Sequence, residues 1–216
     1  MKFKPLALKI SLKKIVASLL FSLFLSGCNE TVAPIQGVQY RLLPETLNSN
    51  NFSPVTEVFS LTCIHCRQME DLIPALQRSI GQKITKLHVA FNQPAYIASM
   101  FYYAAEMQTG AIPDYYFLVD LFTAMQLPES SSDEAFQKAM IEVFESRGLI
   151  SPINYNDQQF EALSKRVDDV SRLSDKTQIQ SVPTFIVRGK YQVIASAHDS
   201  KQELAETIKY LLAKKS

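Results

Sequence analysis

The chain has 216 residues, 22 basic against 21 acidic side chains, and 47% hydrophobic residues. That length holds one mid-sized domain or one domain carrying an insertion, and a formal net charge of +1 gives no basic surface for nucleic acid. Three cysteines and three histidines, the latter scattered as His65, His88 and His198, are too few and too dispersed for the usual zinc sites.

Residues 1–27 read as a leader. Lys2, Lys4, Lys9, Lys13 and Lys14 come first with no acid among them, and Ile15 to Leu25 is an apolar run well short of the ~20 residues that a spanning helix needs. The run ends in Leu25-Ser26-Gly27-Cys28, which resembles the bacterial lipobox; Cys28 would then become the acylated first residue of a chain spanning 28–216. Removing five lysines takes the formal charge from +1 to about −4. Residues 28–51 are polar and turn-rich, with Pro34, Pro44 and Asn48-Ser49-Asn50-Asn51, and are expected to be a tether.

Val55 to Leu61 is a short apolar strand that runs into Cys63-Ile64-His65-Cys66. A CxxC at a strand-to-helix junction reads as a redox pair: the first sulfur meets the exposed amides of the first helical turn, whose partial positive charge stabilises a thiolate. His65, as an imidazolium in that turn, pushes the same way. Three other readings compete. Zinc would need two further ligands; c-type haem attachment would need His at position 67, where the chain has Arg67; an inert disulfide closing so small a loop would add little stability. The remaining cysteine, Cys28, is accounted for by the lipid, leaving no orphan thiol in an oxidising compartment.

Glu57 shares strand parity with Val55, Phe59 and Leu61, so an acid points where apolar side chains point. A buried carboxylate needs a partner or a purpose; Lys86 is the candidate partner, and a solvated strand-edge acid is the alternative.

The periodicity predicts a helix from Cys63 to Ile80, kinked at Pro74, and a strand from Ile84 to Phe91 with Leu87, Val89 and Phe91 on one side. From Ala95 to about Lys176 every periodic segment is helical: Tyr96 to Gln108, Asp114 to Gln126, Asp133 to Arg147 capped by Ser132, and Asp157 to Lys176 capped by Asn156. Their aromatic residues, Phe101, Tyr102, Tyr103, Tyr115, Tyr116, Phe117 and Phe122, are expected chiefly in a core. Thr184 to Val187 and Tyr191 to Ile194 flank Arg188-Gly189-Lys190 as a hairpin, and Ser200 to Glu203 reads as a capping box opening a last helix.

These segments resemble the DsbA family of thioredoxin-fold disulfide oxidoreductases. The resemblance rests on Glu57-Val58-Phe59-Ser60 before the CxxC, Thr85-Lys86-Leu87-His88-Val89, Ser181-Val182-Pro183 before Thr184-Phe185-Ile186-Val187, and Gly189-Lys190-Tyr191-Gln192, within residues 52–216. It departs inside the motif, where the family most often carries Pro-His and this chain has Ile64-His65. It implies an α/β, thioredoxin-like fold with an inserted helical domain: 52–91 and 177–216 form the thioredoxin-like part and 92–176 the helical insertion. It further implies Cys63 as the sulfur that a substrate thiolate attacks, Cys66 as the resolving thiol, Glu57 as a proton acceptor for Cys66 or a tuner of the pair with Lys86 as its partner, and Val182-Pro183 as a cis-proline loop that meets substrate. No cofactor beyond the Cys63–Cys66 disulfide and no metal is expected. The partners implied are reduced or unfolded secreted proteins and a quinone-linked membrane reoxidant of DsbB type, for a monomer lipid-anchored on the periplasmic side of a Gram-negative envelope membrane. A reductase or isomerase of the same fold and a non-catalytic peptide-binding lipoprotein are the alternatives.

Overall fold

The computed structural model describes residues 33–47 and 53–215. The leader and Cys28 lie outside the described residues.

A five-stranded mixed sheet organises the domain. Its strands are β1 (Tyr40–Leu42), β2 (Val55–Phe59), β3 (Ile84–His88), β4 (Thr184–Val187) and β5 (Tyr191–Ile194), in the order β1-β5-β4-β2-β3. β2 and β3 run parallel, with Glu57 beside Lys86 and Phe59 beside His88, while β4 pairs antiparallel to both β2 and β5. The crossover from β2 to β3 is helical, as a parallel pair requires. It consists of α1 (Ile64–Glu70) and α2 (Ile73–Ile80).

Between β3 and β4 lie α3 (Gln93–Thr109), α4 (Tyr115–Met125), α5 (Asp133–Glu145) and α6 (Asp157–Thr177). Asn92, Asp114, Ser132 and Asn156 cap them, each side-chain oxygen accepting an amide of the first turn. α7 (Lys201–Ala213) closes the chain.

Each face of the sheet has its own core. Met69, Ile73 and Leu76 from α1 and α2 meet Leu204, Ile208 and Leu211 from α7 over Val55, Phe185 and Val187. On the other side Val58, Leu87 and Ile186 meet the four-helix block through Phe101, Tyr102, Leu121, Phe122 and Phe144. The aromatic side chains of the insertion are thus mostly core, but Tyr115 and Tyr116 are exposed.

Four expectations change. The helix beginning after Cys63 does not run kinked to Ile80; it ends at Asp71, and Pro74 occupies the first turn of a new helix, where its missing N–H costs nothing. β3 stops at His88 rather than Phe91, because its neighbour β2 ends at Phe59, whose carbonyl takes one last bond from Val89 N–H at 2.9 Å; Phe91 is 44% exposed. Part of the segment expected as a tether is structural. Tyr40–Leu42 pairs with β5 because Tyr40 buries its ring edge-on to Tyr191, 6.0 Å between centroids, and three residues are too few for periodicity to reveal. At the last helix, Ser200 caps Glu203 N–H, but the Glu203 carboxylate reaches past the cap to Asp199 N–H and to the Gln39 amide, so no reciprocal box forms.

The β4–β5 hairpin forms as expected, with Arg188 and Gly189 both at positive φ (55° and 63°). Gly189 is required twice over, since a Cβ there would come within 2.6 Å of the Leu47 carbonyl oxygen.

Candidate active site

Cys63 is the N-cap of α1. Its sulfur takes the place that a Ser or Asp oxygen fills elsewhere, accepting the Cys66 backbone N–H at 3.1 Å. From the other side the Cys63 thiol donates to the Val182 carbonyl at 3.6 Å, and the Val182–Pro183 bond is cis. The two cysteines are unbonded, Cys63 half-buried and Cys66 fully buried.

These positions separate the two thiols chemically. The Cys63 thiol falls to about 6, held down first by hydrogen bonding from the Cys66 thiol and then by the backbone amides of Cys66 and His65; partial burial opposes this, and the His65 charge is the smallest contribution named. Burial pushes the Cys66 thiol far up, and the hydrogen bond to Cys63 adds to that. At neutral pH one sulfur is a thiolate and its neighbour a thiol.

Behind the pair lies a buried charge cluster. The Lys86 ammonium, adjacent in register to Glu57, bonds the carboxylates of Glu57 and Glu70, and sits 5.3 Å from the Phe59 ring centroid. Burial raises the Glu57 carboxyl to about 7 against the pull of Lys86, and its Oε1 finds no hydrogen-bond partner. Burial alone would depress Lys86, but the two carboxylates raise it above the ordinary lysine value. Glu57 is therefore buried as its strand parity implied, and no solvated edge acid.

The structure brings Cys63, Cys66, Val182 and Pro183 together and puts Glu57 and Lys86 beneath them. His65 is exposed, as is Ile64 at 55%. Glu70 was missed by the sequence reading. It lies on α1, four residues after Cys66 and next to the core residue Met69, and takes its role from its contact with Lys86. His88 is a buried histidine with both ring nitrogens engaged, and burial lowers it to about 3. Concavities of about 570 and 660 Å³ lie beside Arg41 and Gln178 and beside Thr85, Lys86 and Arg166.

Fold and site together define a dithiol protein of thioredoxin architecture, with one activated and one protected sulfur. Residues 49–210 match the family model described as Thioredoxin. The thiol:disulfide interchange protein DsbA of Salmonella typhimurium is 28% identical over 172 residues, covering 74% of this chain and 81% of the relative. Among solved structures, Pseudomonas aeruginosa DsbA superposes with a TM-score of 0.64 at 17% identity, covering 83% of this chain and 93% of that one. A Proteus mirabilis DsbA variant carrying a noncovalently bound peptide gives 0.57 at 19% identity, covering 85% and 100%. The chain belongs to the thioredoxin family, and within it is a DsbA-like thiol:disulfide oxidoreductase with an inserted helical domain.

Proposed function

We propose that this oxidoreductase works as a dithiol oxidase that introduces disulfides into reduced or unfolded secreted proteins in the periplasm of a Gram-negative cell. The observation that carries the reading is the Cys63 sulfur, held as a thiolate by its N-cap position, with a thiol pKa of about 6. A stabilised thiolate stabilises the reduced enzyme and makes its disulfide an oxidant.

The steps follow from the site. A substrate thiolate attacks Cys63 in the Cys63–Cys66 disulfide; the S–S bond breaks and Cys66 departs with the electron pair, taking a proton because its buried thiol favours the neutral form. Glu57, whose carboxyl titrates near neutrality below the pair, is the group that exchanges this proton with Cys66. A second substrate thiolate attacks the substrate sulfur of the mixed disulfide, and Cys63 leaves as a thiolate. Substrate gains a disulfide and loses two electrons; the enzyme ends as the dithiol. The Val182 carbonyl, beside Cys63 and ahead of Pro183, pairs with the backbone of the extended substrate, and exposed Ile64 offers it an apolar contact.

No cofactor beyond the cysteine pair is required, and no metal takes part. A quinone-linked membrane partner of DsbB type returns the pair to the disulfide. Cys28 carries the lipid that holds the enzyme, as a monomer, at the periplasmic side of the envelope membrane. The deciding experiment is to equilibrate the purified protein with glutathione and to trap its thiols in intact cells. An oxidase has a potential well above the ≈ −270 mV of thioredoxin and is recovered oxidised; a potential at or below that value, with thiols recovered reduced, identifies a reductase or isomerase instead.

A further inference from the structure

Ser60, Leu61 and Thr62, between the end of β2 and Cys63, have left the sheet ladder, and their peptide groups need partners elsewhere. Side chains supply them. His88 Nε2 accepts the Leu61 N–H at 2.8 Å, which fixes the proton on Nδ1, where it is donated to the Val89 carbonyl at 2.8 Å. The ring cannot tilt away, since it is buried between Phe59, edge-on at 5.0 Å, and Tyr102, stacked at 5.8 Å. On the other side of Leu61, the Gln126 side-chain amide donates to the Leu61 carbonyl at 2.9 Å. Two successive peptide planes are thereby held, one from the sheet and one from the end of α4, immediately before the Cys63 N-cap. α4 also grips the far end of the redox helix, where the Tyr115 hydroxyl donates to Asp71, the C-cap of α1, at 2.7 Å.

We propose that Gln126 and His88 are positioning residues for Cys63, and that through Gln126 the helical insertion sets how the Cys63 sulfur meets the Cys66 amide and the Val182 carbonyl. The inference rests on Cys63 being the reacting sulfur. Leu61 is too near Cys63 for slack in one to leave the other unmoved: Cys63 N–H returns to the Ser60 carbonyl at 3.0 Å, and Ser60 Oγ meets both Thr62 N–H and Thr62 Oγ1. The His88 ring stays neutral down to about 3, so its acceptor nitrogen is available throughout the working pH range. Neither residue touches the cysteines; both act through the loop.

The test uses the whole folded protein. Gln126→Met removes the donor at constant chain length, and Gln126→Ala repeats the removal should the methionine fit badly; Gln126 is only half-buried at a helix end, so the fold tolerates both. Thiolate absorbance against pH is expected to show the Cys63 transition moved upwards in each variant. The equilibrium with glutathione is expected to shift by roughly fivefold towards the oxidised protein, the size of one net hydrogen bond. Urea unfolding is measured alongside. A Cys63 transition and a glutathione equilibrium that match the wild type, whether or not the unfolding midpoint falls, overturn the proposal and leave Gln126 a plain structural tie. Because the readout is the titration of Cys63 itself, it is decided independently of whether the enzyme oxidises, reduces or isomerises in the cell.

Discussion

Cys66 donates its backbone N–H to the Cys63 sulfur at 3.1 Å while its own thiol is fully buried. One residue thus stabilises the half-buried sulfur as an anion and withholds the second sulfur from anything but Cys63. Cys63→Ser is expected to abolish exchange, whereas in Cys66→Ser the Cys63 thiolate still attacks a substrate disulfide, and the mixed disulfide it forms has lost the neighbouring Cys66 thiol that would release it. Non-reducing gels of cells expressing each variant check this: mixed disulfides should accumulate with Cys66→Ser alone, and trapping by the Cys63 variant would reverse the assignment.

The pH dependence has a definite sign. The folded Cys63 thiol titrates at about 6, below the ordinary value of about 8.5 in an unfolded chain. A depressed pKa stabilises the reduced fold fully above the unfolded value, and this contribution is lost as pH falls through the folded one. The oxidised protein has no thiol there and no such dependence. Urea unfolding of reduced and oxidised protein from about pH 9 to about pH 5 is expected to show the reduced form losing ground steadily as the pH drops, and alkylation of Cys63 should show an inflection at about 6.

Lys86 pairs with two buried carboxylates, Glu57 and Glu70. Lys86→Met leaves both without a cation and is expected to cost about 3–5 kcal/mol of stability at about pH 8. The loss should shrink towards about pH 5, because the Glu57 carboxyl, already pushed up by burial, takes on a proton there and no longer adds a second buried negative charge. Glu57→Gln, by contrast, leaves Lys86 paired with Glu70. It is expected to keep the fold, and to slow formation of the mixed disulfide in stopped-flow exchange, the step in which Cys66 leaves and takes its proton through Glu57.

Much of this site was readable in the sequence because its parts obey local rules. The CxxC lies at a strand-to-helix junction, and the period of two along Val55, Glu57 and Phe59 puts an acid on a buried face. Caps at Ser132 and Asn156 mark helix starts through one-turn hydrogen bonds that need no tertiary information. What escaped depends on distant partners. Glu70 gains its meaning from Lys86 across the crossover, and Gln126 from a carbonyl 65 residues earlier; no periodicity encodes either. Tyr40 likewise escaped, since an edge strand of three residues is defined by the β5 backbone it meets. The break at Asp71 shows two legitimate readings of one proline: Pro74 either kinks a long helix or opens a new one, and only packing of Ile73 and Leu76 against α7 selects the second.

If Cys28 is the acylated residue, anchor and catalyst are separable, because Cys28 precedes the described domain. Cys28→Ala is expected to release the protein into the soluble fraction, or to leave its leader uncleaved, while the purified domain retains its glutathione equilibrium. A folded Cys28→Ala protein without redox activity would contradict this separation.

The last prediction concerns tuning by His65. The sequence alone suggests that its charge adds to the helix amides in supporting the thiolate, so that His65→Ala should make the couple less oxidising. The geometry reorders the contributions. His65 is exposed, and its charge stands behind the Cys66 thiol and the backbone amides of Cys66 and His65 itself, which survive the substitution. A solvated charge is screened in a way that an amide fixed at 3.1 Å is not. His65→Ala is therefore expected to raise the Cys63 transition only slightly and to change the glutathione equilibrium by less than tenfold, under ~30 mV. Ile64→Pro places proline at the first position of α1, where no helical donor is lost, and should leave the thiolate in place. Absorbance titration and glutathione equilibrium measure both variants. A shift beyond ~30 mV in His65→Ala would mean that the imidazolium, and not the capped sulfur, dominates the stabilisation of Cys63.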